Sequence, residues 1–86
     1  MGERRQIHRE VQRRIDYIGQ RLVTETRAST RVSMSQERTA LTKLLERSDL
    51  VQGLLIAMRL IRKAAETGDT ETIKRVADEA LERETA

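Results

Sequence analysis

Apolar residues recur at helical spacing near the start of the chain. Successive members are four or three residues apart, which places them on one face of an α-helix. They are Ile7, Val11, Ile15, Ile18 and Leu22. This pattern predicts a first helix over about residues 3–28. Within it, Glu10 precedes Arg14 by four residues, a spacing at which an ion pair stabilises a helix.

Serine and threonine dominate residues 24–36 and interrupt the apolar pattern. Their side chains compete for backbone hydrogen bonds, so they favour turns and helix caps over helix interiors. We therefore expect a helix break near residues 29–35. Ser33 followed by Gln36 fits a capping box, and Ser35 is a competing N-cap.

Two apolar stripes predict a long second helix over about residues 36–66. One contains Leu41, Leu44, Val51, Leu55 and Met58, and the other contains Leu50, Leu54, Ala57, Ile61 and Ala64. Between residues 50 and 61 this helix is apolar almost all round. A helix with this pattern is covered by protein on more than one side. Glycines at positions 19 and 53 fall inside the predicted helices, where they would permit close packing.

Gly68 marks the end of the second helix, and Asp69 or Thr70 caps the next one. A third helix is predicted over about residues 70–84. Its apolar stripe is narrower and consists of Ile73, Val76, Ala77, Ala80 and Leu81. The short connection between the second and third helices indicates an antiparallel helical hairpin.

The predicted fold is therefore all-α, with three helices, a long central helix and a single domain over residues 1–86. A chain of 86 residues is marginal as an isolated domain, and Tyr17 is its single aromatic residue. The third helix covers about half of the central one, so self-association would bury the remaining apolar surface. We expect an oligomeric helical bundle, with a dimer as the simplest form. The predicted oligomerisation core is Leu44, Val51, Leu54, Leu55, Met58 and Ile61.

The composition argues against most catalytic chemistry. The chain has no cysteine and one histidine, His8, and its four glycines are isolated from one another. These features exclude thiolate catalysis, thiolate zinc sites and a phosphate-binding glycine loop. We therefore expect a protein that is not an enzyme and has no cofactor, metal or small-molecule substrate. The longest apolar segment, residues 50–61, is too short to span a bilayer, so a cytoplasmic protein is expected.

Charge is distributed unevenly along the chain. The formal net charge is +3, but residues 1–63 carry +7 and residues 64–86 carry −4. Fourteen of the 17 basic residues are arginine, which forms bidentate contacts with phosphate and carboxylate groups. A strip of basic residues runs along the first helix and continues toward the predicted break. The candidate binding residues are Arg5, Arg9, Arg13, Arg27 and Arg31.

Two functions fit these features. The first, which we favour, is a non-enzymatic interaction or assembly protein, such as an adaptor, an inhibitor or a regulatory subunit. Its arginines would meet an acidic protein surface, including the acidic third helix of another copy. The alternative is DNA or RNA binding. The sequence has neither a recognition-helix motif nor aromatic residues for base stacking, so such binding would be mainly to the phosphate backbone.

Overall fold

The computed structural model has four helices among the residues that it describes. It describes the backbone of residues 2–47 and 53–85, and the side chains of residues 5–47 and 53–82. The helices are α1 (Gly2–Thr24), α2 (Ala28–Glu46), α3 (Leu54–Glu66) and α4 (Thr70–Thr85). No strand occurs among the described residues, so the all-α prediction is confirmed there.

The first helix break lies at residues 25–27, and the predicted break at residues 29–35 is wrong. Those residues are helical and belong to the first half of α2. Ser33, expected to cap a helix, is instead buried on the inner face of α2. Arg27, the last residue of this break, has an extended backbone with φ −75° and ψ 121°. Burial of one face of α2 outweighs the weak preference of Ser and Thr for turns.

The predicted central helix over residues 36–66 is two helices, α2 and α3. Arg47 is the C-cap of α2, and Gly53 precedes α3. Gly53 has φ 72°, a left-handed conformation that ends helical geometry and favours glycine. The nearly continuous apolar pattern therefore comes from two amphipathic helices that follow each other closely. Residues 48–52, including Val51, lie outside the described residues.

The connection between α3 and α4 forms as predicted. Gly68 has φ 76°, and the backbone N–H groups of Gly68 and Asp69 donate to Ala65 O and Ala64 O, as in a Schellman motif. The Asp69 carboxylate accepts hydrogen bonds from the backbone N–H and the hydroxyl of Thr72. It therefore caps the first turn of α4.

The core is aliphatic and receives side chains from all four helices. α2 contacts each of the other three helices, whereas α1 contacts α2 far more than α3. Fully buried members are Val11, Ile18, Leu41, Leu44, Ile61 and Ile73. Across the described part of the chain, no helix has both the length and the apolar character needed to cross a membrane.

Candidate functional site

The predicted basic strip is partly present as an exposed surface. Arg5, Arg9 and Arg13 follow one another at four-residue intervals in α1 and are exposed. On a helix this spacing places them along the side facing away from Val11 and Ile18, which are buried. None of the three forms an ion pair with another described residue. We call these three residues the arginine face.

Arg27 and Arg31 have a different setting at the connection between α1 and α2. The guanidinium of Arg31 donates to Leu22 O at 2.5 Å and to Glu25 O at 2.8 Å. These carbonyls belong to the end of α1 and the residues after it, so Arg31 caps this helix. Arg27 is the exposed N-cap residue of α2, and its backbone N–H donates to the Glu25 carboxylate at 3.0 Å.

The predicted oligomerisation core is largely covered by the chain itself. Leu44, Leu54 and Ile61 are buried in the core of one chain. Leu55 and Met58 are half-buried, and Met58 packs against that core. The need to bury the first three side chains therefore gives no reason for self-association. Among the described residues, the exposed large apolar ones are others, namely Tyr17, Val23, Val32, Ile56 and Leu60.

A buried ion pair joins α1 to α2. The Glu37 side chain is 1% exposed and accepts two hydrogen bonds from Arg14, at 2.6 Å from Nε and 3.1 Å from Nη2. These bonds to Glu37 raise the pKa of the Arg14 guanidinium above its ordinary value, against the effect of burial. The same guanidinium lies over the ring of Tyr17, with Cζ 5.2 Å from the ring centroid.

This pair lies at one wall of a cleft of about 540 Å³. The cleft lies between α1, the first half of α2, and the end of α3 with its turn. We call it the interhelical cleft. Its polar and charged lining consists of Arg14, Arg21, Ser29, Thr30, Ser33, Glu37, Arg62, Glu66 and Thr67, joined by the aromatic ring of Tyr17.

Ser33 is the most unusual member of this lining. It is 6% exposed, and its hydroxyl has no hydrogen-bond partner in the described part of the protein. Buried polar groups nearly always have a hydrogen-bond partner, so a group that lacks one calls for an explanation. Its hydroxyl lies 3.8 Å from where a Cβ on Gly68 would stand, so the α3–α4 turn closes this end of the cleft.

Sequence reasoning missed both Glu37 and the cleft. The predicted partner of Arg14 was Glu10, four residues before it, but the structure pairs Arg14 with Glu37 of α2. One signal was present in the sequence. Ser33, Glu37, Ala40 and Leu44 share helical spacing, so a helix that begins before residue 33 places Glu37 in an apolar stripe.

Other candidate chemistry is sparse. His8 is exposed on α1, and Glu71, Asp78, Glu79 and Glu82 are exposed on α4. Among the described residues, no group of three or more His, Asp or Glu side chains is arranged to hold a metal ion. No protein-family profile matches the chain, and no curated protein or solved structure shows significant similarity to it.

Proposed function

We propose that this chain is a non-enzymatic, cytoplasmic interaction protein that binds an acidic protein surface through the arginine face. The observation that carries the proposal is that Arg5, Arg9 and Arg13 are exposed in a row without carboxylate partners among the described residues. An unpaired row of guanidinium groups favours an anionic partner and accelerates its association.

A second copy of the chain is the partner that we propose first. The exposed charged residues of α4 are acidic on balance, with four carboxylates against two bases. They are Glu71, Asp78, Glu79 and Glu82 against Lys74 and Arg75. Glu79 also lines a shallow groove with the exposed side chains of Ile56 and Leu60. A contact between the arginine face of one copy and this surface of another would be head-to-tail, as charge complementarity favours.

Binding of the nucleic-acid backbone is the second candidate function. It is favoured by the same unpaired arginines, because guanidinium groups bind phosphate oxygens as well as carboxylates. Such binding would not depend on base sequence. Its affinity would fall steeply as the salt concentration rises, because binding releases counterions from the nucleic acid.

Matched charge variants separate these functions. Arg5→Gln/Arg9→Gln/Arg13→Gln removes the arginine face, and Arg59→Gln/Lys63→Gln/Arg75→Gln removes three exposed positive charges elsewhere. We would measure binding to polyglutamate and to a generic DNA duplex by fluorescence anisotropy over a range of salt concentrations. The first variant should bind polyglutamate about tenfold more weakly than the control, because each exposed pair contributes about 0.2–1 kcal/mol.

Binding of an acidic protein surface and binding of the nucleic-acid backbone predict different results in the DNA measurement. If the protein binds DNA, the logarithm of its association constant falls linearly with the logarithm of the salt concentration. The steepness of this fall should be smaller by about 2 to 3 in the first variant, because each arginine accounts for about one phosphate contact. Equal losses in both triple variants would reflect net charge alone and would contradict a role for the arginine face. Binding of DNA but not of polyglutamate would favour the second candidate function over the first.

A further inference from the structure

The interhelical cleft has a lining suited to an anion. Three arginines border it, Arg14 and Arg21 from α1 and Arg62 from α3, against two carboxylates, Glu37 and Glu66. The formal charge of this lining is therefore +1. Glu37 is fully buried and bound by Arg14, so the accessible charges of the lining are those of Arg21, Arg62 and Glu66.

The arginines of the cleft keep N–H groups for a ligand. Arg14 uses two of the five N–H donors of a guanidinium for Glu37, and the others have no partner among the described residues. Arg21 and Arg62 each lie 3.6 Å from a glutamate four residues later, which is Glu25 just after the end of α1 and Glu66 within α3. The Arg62–Glu66 pair is exposed at both ends and contributes little to stability, so a bound anion can replace Glu66 at small cost. The Glu25 side chain is 13% exposed, so Arg21 keeps this neighbour and would bind the anion with its remaining N–H groups.

The first turns of α2 supply neutral donors to the same space. Ser29, Thr30 and Ser33 line the cleft, and the Ser33 hydroxyl is both buried and without a described partner. α2 has no side-chain cap at Arg27 and no acidic residue in its first turn. The Glu25 carboxylate lies just before this helix and accepts the Arg27 N–H. Among the described residues, no side chain accepts a hydrogen bond from the N–H groups of the first turn itself, so these groups can still bind an anion.

Phosphate is the anion that this set of donors fits best. Its oxygens accept several hydrogen bonds at once, and arginine binds them in bidentate fashion. With 6% of Ser33 exposed, only a small group such as one phosphate oxygen can reach its hydroxyl. Tyr17, which is half exposed at the edge of the cleft, offers an apolar surface for the organic part of the ligand.

We propose that the interhelical cleft binds the phosphate group of a small phosphomonoester through Arg21, Arg62 and the hydroxyl of Ser33. This site is separate from the proposed function, since none of its residues belongs to the arginine face. A nucleoside monophosphate and a sugar phosphate both carry this group. Contact of a base with Tyr17 would favour the nucleotide.

The test uses calorimetric titration of the full chain with inorganic phosphate, AMP, glucose 6-phosphate and, as a phosphate-free control, adenosine. The wild type should bind the three phosphates saturably at up to millimolar concentration and should not bind adenosine. Ser33→Ala, Arg21→Gln and Arg62→Gln should each weaken binding about tenfold, the effect of losing one hydrogen bond to a charged group. Tighter binding of AMP than of glucose 6-phosphate identifies a nucleotide, and equal binding identifies recognition of phosphate alone.

Control variants make the result specific to the cleft. Arg75→Gln removes an exposed charge on α4, and the triple variant of the arginine face removes three on α1. Both should bind phosphate as the wild type does, and circular dichroism should show that all variants are equally helical. The proposal is overturned if the wild type binds no phosphate, if adenosine binds as well as AMP, or if Arg75→Gln weakens binding as much as Arg21→Gln.

Discussion

At the scale of single residues, the Arg14–Glu37 pair shows how one contact depends on two distant positions. Glu37 is 1% exposed at its side chain, whereas that of Arg14 is 18% exposed. Removing one partner of a buried pair leaves the other charge without compensation, which is costly in proportion to its burial. The two ends of this pair should therefore respond unequally to substitution.

We predict that Arg14→Met destabilises the protein more than Glu37→Met. The first leaves a buried carboxylate unpaired and should cost about 3–5 kcal/mol, while the second leaves a guanidinium that can reach water and should cost about 1–2 kcal/mol. The double variant should lie within about 1 kcal/mol of the wild type, because apolar side chains can replace a buried pair. Urea unfolding of all four proteins measures this, and additive effects would contradict it.

At the scale of helices, the ends of the elements depend on a few local groups. Gly53 and Gly68 have positive φ, and they lie directly before α3 and directly after its C-cap residue Thr67. Gly19 was expected to serve close packing, as was Gly53, but it lies within α1 with ordinary space around it. A Cβ there would stand 3.6 Å from Cζ of Arg38, a normal contact distance.

These differences predict opposite effects of the same substitution. Gly53→Ala should destabilise the protein by about 1–2 kcal/mol, because an L-residue is strained in the left-handed region. Gly19→Ala should stabilise it by about 0.5–1 kcal/mol, because alanine restricts the unfolded chain and favours helix. Thermal unfolding of the two variants provides the measurement. A stabilising Gly53→Ala would contradict the left-handed conformation of residue 53 before α3.

The Asp69 cap predicts a dependence of stability on pH. Hydrogen bonds from the Thr72 hydroxyl and then its backbone N–H lower the pKa of the Asp69 carboxyl. Since the folded-state pKa lies below the unfolded one, the stabilisation is complete above the unfolded pKa and is lost as pH falls through the folded pKa. The advantage of the wild type over Asp69→Asn should therefore shrink below about pH 4.

Melting temperatures of both proteins, measured stepwise from neutral to acidic pH, test this expectation. Thr72→Val is a suitable control, because it removes the hydroxyl that contributes most to the shift and keeps the backbone N–H. The difference in melting temperature between Thr72→Val and the double variant Thr72→Val/Asp69→Asn should change less with pH than the difference between the wild type and Asp69→Asn. A wild-type advantage that stays constant with pH would contradict the role of the charged cap.

At the scale of the whole molecule, two neighbouring residues of α3 separate folding from self-association. Ile61 is fully buried, whereas Leu60 is 49% exposed beside Ile56, which is 64% exposed. We predict that Ile61→Ala costs about 2–4 kcal/mol of unfolding free energy because it leaves a cavity. Leu60→Asp should change stability by less than about 0.5 kcal/mol, as is typical of surface positions.

The same variant tests the proposed assembly. Leu60→Asp places a charge in the groove that we propose as the contact for another copy, so it should lower the molar mass measured by light scattering. High salt should act in the same direction, because the proposed contact joins opposite charges. A wild-type protein that stays monomeric at high micromolar concentration would contradict self-association and leave the arginine face for a different acidic partner.

How much of the fold followed from the sequence depended on whether the signal was local. The ends of α4, the Gly68 turn and the apolar face of α1 were predicted, because caps and short-range periodicity determine them. The division of the central segment was not, because two consecutive amphipathic helices have the same pattern as one long helix. The interhelical cleft was not predicted either, since its lining combines residues far apart in the chain.

The sequence by itself therefore determined that this protein is helical, where most of its apolar faces lie, and that arginines line the outer side of α1. Only the tertiary structure decided what each face contacts. It placed Leu44, Leu54 and Ile61 within one chain, and it buried Glu37 as the partner of Arg14. The physical reason is that helical periodicity is a property of neighbouring residues, whereas burial depends on which helices pack together.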